Sequence, residues 1–110
     1  MIEYRLNLKN MDTDYNDIKE KMNGFYEQCQ YFTLIIETNE IHNYTLYMVY
    51  DFSLFLKSLK EKETQYLKQT TIYVYNKYIN SLLYYLFNYL CSPIAPVKII
   101  DIDGNVTMYE

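Results

Sequence analysis

The chain has 110 residues, a net charge of −4 and a pI of about 4.9, which gives room for one domain and not for two. Half of its residues count as hydrophobic, yet mean hydropathy is −0.28, because fifteen of them are tyrosine. The acidic balance excludes nucleic acid as the main partner, since phosphate recognition needs a basic face.

In chain order, Ile2, Tyr4, Leu6 and Leu8 alternate with Glu3, Arg5, Asn7 and Lys9. This period of two predicts a strand with one buried face. Asn10 to Thr13 reads as a turn, and Asp14 as the cap of a helix. Tyr15, Ile18, Met22, Phe25, Tyr26 and Cys29 carry that helix at spacings of three and four, with Gly24 inside it, at a cost to the helix, as a site of close packing or an early end.

The run Phe32-Thr33-Leu34-Ile35-Ile36 is nearly continuous in apolar character, which predicts a central strand covered on both faces. Glu37-Thr38-Asn39-Glu40 leaves its carboxyl end. Asn43 or Thr45 then caps a helix from Thr45 to about Lys62, with Met48, Phe52, Phe55, Leu56 and Leu59 inside. Lys57, Lys60 and Lys62 are interrupted by Glu61 and Glu63, so they read as a solvated helix end. Tyr66 and Leu67 are expected to fold back onto the core. Thr71 to Tyr75 reads as a β-branched, aromatic strand ended by Asn76.

Ile79, Leu82, Leu83, Leu86, Phe87 and Leu90 give the clearest helical stripe, from Lys77 to Leu90. At about 14 residues it is shorter than the roughly 20 that span a bilayer. Pro93 and Pro96 stiffen the following connection, Pro96 to Ile100 forms a strand, Asp103-Gly104 turns, and Asn105 to Tyr109 returns as a short edge strand. The sum is one α/β domain over residues 1–110. Its sheet is mainly parallel, with four or five strands and about three helices.

Several chemistries lack their residues. There is no C-x-x-C pair and only one histidine, His42, so no zinc site is expected. The two glycines, Gly24 and Gly104, form no phosphate loop or dinucleotide fingerprint. Cys29 and Cys91 end apolar stripes and read as buried, inert thiols. The first residues carry no apolar signal core, so the expectation is a cytoplasmic protein with reduced cysteines, in which the sequons at Asn43 and Asn105 go unused. The abundance of Tyr, Asn, Ile and Lys fits the codon usage of an AT-rich genome.

The Phe32–Asp101 stretch resembles the shared core of STAS domains (the anti-sigma-factor antagonist fold) and CRAL-TRIO lipid-binding domains. The STAS-like residues are Ile35-Ile36-Glu37-Thr38-Asn39-Glu40-Ile41, an apolar strand ending in an acid before a long helix. The CRAL-TRIO-like residues are Gln65-Tyr66-Leu67, Val74-Tyr75-Asn76 and the Tyr78–Leu90 helix. STAS regulators carry a phosphorylatable Asp-Ser-Ser-Gly-like turn. Here Asn43-Tyr44-Thr45-Leu46-Tyr47 stands in its place, so no serine switch is implied. The CRAL-TRIO likeness implies a lipid or small hydrophobic ligand, without the extra elements that enclose one. The whole chain also resembles small proteins of large AT-rich DNA viruses, which implies host cytoplasm or virion.

Ligands of open parallel sheets bind beyond the carboxyl ends of the strands. The residues expected at that edge are Glu37, Asn39, His42, Asn76, Lys77 and Asp101. A divalent metal on Glu37 and Asp101, with Lys77 on a phosphate, is the sharpest chemistry they offer. Their spacing matches no known metal or phosphate loop, so they read first as polar strand ends and caps. No catalytic residue, cofactor or metal is therefore assigned.

Tyr78, Tyr85 and Tyr89 flank the stripe of the last helix, and Tyr47 and Tyr50 flank that of the long one. Such aromatic flanks are enriched at interfaces, although they also serve as core rims. The expected function is therefore a non-enzymatic interaction or assembly module that binds a protein partner or itself. A lipid-binding domain comes second and a metal-dependent enzyme third.

Overall fold

The computed structural model describes residues 1–8, 11–39, 46–90 and 92–110; the side chains of residues 11–14 and 46–49 also lie outside that description. The elements in order are β1 (Ile2–Asn7), α1 (Met11–Glu27), β2 (Phe32–Glu37), α2 (Leu46–Lys60), β3 (Leu67–Tyr73) and α3 (Lys77–Tyr85). A π-helical turn (Leu86–Leu90), β4 (Val97–Ile100) and β5 (Val106–Tyr109) complete the chain. The fold is α/β, with a five-stranded sheet in the order β1-β2-β3-β4-β5 and three α-helices among the described residues. The first four strands are parallel, and β5 is antiparallel to β4.

The sequential strand order decides which face is covered. Right-handed crossovers that always advance in one direction place every helix on the same side of the sheet. The side chains agree. Phe32, Leu34 and Ile36 of β2 are buried with Leu67 and Ile72 of β3, Val97 and Ile99 of β4, and residues of all three helices in one core. Their neighbours Thr33, Ile35 and Glu37 are only half-buried on the other side. The expectation that β2 is covered on both faces is thus corrected. The sheet is a layer with one helix-covered face and one open face.

Phe32 and Met22 are fully buried at the centre, each contributing about 2 kcal/mol of apolar burial. Phe25 packs on Phe32 with ring centroids 4.6 Å apart and tilted by 33°, and Tyr26 meets it edge-on at 6.1 Å. The radius of gyration, 13.1 Å, is that of a single compact unit of this length, about 13 Å.

Boundaries differ from the sequence pattern where local geometry breaks periodicity. The helix α1 begins at Met11, so Met11 to Thr13 are helical instead of a turn and Asp14 lies within the first turn, while Asn10 lies outside the described residues. Gly24 does not end α1, which continues to Glu27. The strand β3 starts at Leu67, four residues before the β-branched run, and stops at Tyr73. Its pairing with β2 shifts between Phe32 and Thr33, leaving Lys68 as the extra residue of a bulge. The bulge turns alternation into a buried-exposed-exposed-buried pattern at Leu67, Lys68, Gln69 and Thr70, which hides the strand from a period-two reading. The last helix is α-helical only to Tyr85, where the π turn takes over. Among the described residues no helix is long and apolar enough to cross a membrane.

Candidate functional site

The polar edge at the carboxyl ends of the strands is real as a place. Tyr75, Asn76, Lys77, Asn80, Ser81 and Asp101 border an open groove of about 540 Å³ beside the start of α3. Three of the polar side chains there, those of Tyr75, Asn76 and Asp101, already have structural work. Asn76 caps α3, its side-chain oxygen accepting from the Ile79 N–H at 2.8 Å. Asp101 Oδ1 accepts from the N–H groups of Asp103 and Asn105, both at 2.9 Å, and so closes the β4–β5 turn. Glu37 Oε2 accepts from the Tyr75 hydroxyl at 3.2 Å. Burial, and then the Glu37 bond and charge, raise the Tyr75 hydroxyl above its ordinary pKa.

The structure therefore brings Asn76, Lys77 and Asp101 together and links Glu37 to them through Tyr75. Asn39 is exposed just beyond β2, while Glu40 and His42 lie outside the described residues. Among the described residues no three His, Cys, Asp or Glu side chains gather as a metal site. A sheet whose strand order never reverses also lacks the crevice that a reversal opens for ligands.

The tyrosine flank is the more distinctive surface. Tyr78, Tyr84, Tyr85 and Tyr89 are 54%, 55%, 42% and 68% exposed. Tyr85 and Tyr89 pack with ring centroids 5.4 Å apart, and Tyr84 meets Tyr89 edge-on at 6.4 Å. On an α-helix, residues five apart point in different directions. The wider π turn brings Tyr84 and Tyr89 together, which is why α-helical spacing picks out Tyr85 and Tyr89 but misses Tyr84. Tyr50 and Leu54 add exposed surface on α2, at 49% and 45%; the Tyr47 side chain lies outside the described residues.

This flank joins the free edge of the sheet. Phe87 packs against Tyr109 of β5, and the Asn88 amide donates to the Tyr84 carbonyl at 2.8 Å and to the Tyr109 hydroxyl at 3.5 Å. Beside them Val106 and Met108 of β5 are 52% and 47% exposed. Under the same π turn, between α2 and the sheet, an apolar gap lined by Leu34, Phe52, Leu56, Ile72, Phe87 and Ile94 holds only about 30 Å³.

At the opposite end of the sheet, Cys29 is exposed rather than buried. It follows α1 with φ 54°. The Cys29 N–H donates to the Tyr26 carbonyl at 3.2 Å, and the Gln30 N–H to that of Phe25 at 2.9 Å, the bonding of a Schellman cap. The cap explains the exposure, because a left-handed residue after the helix points its side chain off the apolar stripe. A hydrogen bond with Cys29, followed by burial, raises the Tyr66 hydroxyl above its ordinary pKa. Cys91 lies outside the described residues.

No family model, curated protein or solved structure matches this chain.

Proposed function

We propose that the chain is a non-enzymatic interaction or assembly module whose contact surface is the tyrosine flank of α3 and the π turn. One observation carries this reading. Tyr84 and Tyr85 both pack against Tyr89 at the surface instead of on the core, the most exposed of the three at 68%. Exposed, mutually braced aromatic rings give large contact area at low entropic cost, and tyrosine is enriched among the residues that dominate binding energy. The STAS-like arrangement of Ile35 to Ile41 is in keeping with a partner-binding role. A lipid-binding role is less well supported, because the apolar gap of about 30 Å³ is the size of one water molecule. The polar edge supports an enzyme least, since Asn76 serves as a helix cap, Asp101 as a turn closure and Glu37 as the acceptor of the Tyr75 hydroxyl.

The test uses the whole chain and its Tyr84→Ser/Tyr85→Ser/Tyr89→Ser variant. A partner isolated from the native source is purified, identified and recombined with each. Binding at least about tenfold weaker for the variant, with thermal stability retained, is the expected result. Equal affinity for both proteins contradicts the tyrosine flank as the contact surface.

A further inference from the structure

We infer that a second copy of this chain pairs with it through β5, edge to edge and antiparallel, about a two-fold axis at Thr107. The inference names the partner for the surface proposed above and rests on that reading only for the rings that adjoin the edge.

The backbone pattern carries it. Val97 pairs with Tyr109, Ile99 with Thr107, and the Asp101 N–H donates to the Asn105 carbonyl at 3.0 Å. In an antiparallel ladder, residues that bond the neighbour alternate with residues whose N–H and C=O point away. Asn105, Thr107 and Tyr109 are thus turned towards β4, and Val106 and Met108 present their N–H and C=O outward. Placing Thr107 on a two-fold axis sets Val106 opposite Met108 of the second copy, and Met108 opposite its Val106. Each such pair exchanges two hydrogen bonds, so every outward group of the two residues is matched. A surface that is its own complement is what a two-fold dimer requires.

The side chains fit the same pairing. Free edges are ordinarily blunted by lysine, proline, a bulge or charge. β5 reads Val-Thr-Met-Tyr, with no charge, no proline and no register shift. The opposite edge, β1, carries exposed Glu3, Arg5 and Asn7. Among the described residues β5 is therefore the edge left open to pairing, so association closes at two copies instead of running on into a filament. Val106 and Met108, 52% and 47% exposed, would sit directly across from each other on the open sheet face. A ladder of four residues falls short of the roughly 1,200 Å² of a stable interface. The adjoining rings supply the rest: Asn88 and Phe87 hold Tyr109 against the π turn, so pairing brings the Tyr84–Tyr89 flanks of both copies to the same seam.

Light scattering of the purified full chain across a range of concentrations tests the pairing, with Met108→Pro, Met108→Lys and Tyr84→Ser/Tyr89→Ser as variants. Proline at 108 removes an outward N–H and spares the β4–β5 ladder, because that N–H makes no bond to β4. The expected result is a dimer whose dissociation constant rises at least about tenfold in both Met108 variants, in the proline variant through loss of two hydrogen bonds by symmetry and in the lysine variant through a charge set on the pairing edge. Circular dichroism of the diluted Met108→Lys variant should match that of the wild type. A strict monomer at the highest concentration overturns the pairing, as does a dimer unaffected by both Met108 variants. A dimer weakened by the Met108 variants but not by the tyrosine variant keeps the edge pairing and removes the tyrosine flank from it.

Discussion

The ring of Phe87 lies 5.2 Å from that of Tyr109, tilted by 30°, and this contact ties the π turn to the last strand. It is one of few attachments for β5, a four-residue strand with three exposed side chains. Phe87→Ala removes a partly buried ring from both the main core and the α2 cluster. The expected cost is about 2–3 kcal/mol, below that of a fully buried phenylalanine. Amide exchange should quicken first in β5. An unfolding midpoint within 1–2 °C of the wild type, taken as an order of magnitude, would show that the contact holds nothing in place.

The Tyr26 hydroxyl donates to Gln65 Oε1 at 2.7 Å, while Gln65 Nε2 donates to the carbonyls of Leu59 and Lys62 at 2.8 and 3.1 Å. One side chain thus satisfies the end of α2 and locks it to α1. Gln65→Leu is expected to destabilise the fold by about 1–3 kcal/mol, since it leaves carbonyls and a hydroxyl without these partners. In a double-mutant cycle with Tyr26→Phe the coupling should be about 1 kcal/mol. Strict additivity by denaturant titration would contradict the shared bond.

Alkaline pH should act on the same hydroxyl. Burial raises Tyr26 above its ordinary pKa of 10.0. A folded-state pKa above the unfolded value means that the contribution is complete below pH 10 and is lost as pH rises through the folded value. Stability should therefore be level up to about pH 9 and fall above about pH 10. Tyr26→Phe should shallow that fall when thermal midpoints are measured across the range. An unchanged slope in the variant would assign the alkaline loss elsewhere.

Two substitutions at the end of α1 should stabilise. A Cβ at Gly24 meets nothing within 4 Å, so Gly24→Ala should gain about 0.5–1 kcal/mol of helix propensity. Cys29 adopts φ 54°, which favours glycine, so Cys29→Gly should gain up to about 1 kcal/mol. Both should raise the thermal midpoint. A fall in either would mean that the side chain at that position contributes more than the backbone gains.

The α/β class, the mainly parallel sheet and most core residues were legible because each follows from local periodicity. The alternation of Tyr4 and Leu6, the stripe ending at Leu59 and the stripe from Ile79 to Leu90 survive in the fold. Three features were not legible, each for a physical reason. The apolar run at Phe32 looks buried on both sides, but coverage depends on which way the crossovers advance, and that is not a local property. The bulge at Lys68 disguises the start of β3. The π turn changes the phase of the last helix and recruits Tyr84, which α-helical spacing leaves out. At the polar edge, residue types identified Asn76, Lys77 and Asp101 as neighbours. Only the hydrogen bonds show that Asn76 and Asp101 are a cap and a turn closure.

The most direct measurement on the proposed contact surface is amide hydrogen exchange of the full chain at low and high protein concentration. The Val106 and Met108 N–H groups make no bond to β4 and should exchange quickly when dilute. At high concentration both should slow at least about tenfold, together with the π turn, while β1 stays unchanged. Equal exchange of Val106 and Met108 at both concentrations would contradict a surface built from the β5 edge and the tyrosine flank.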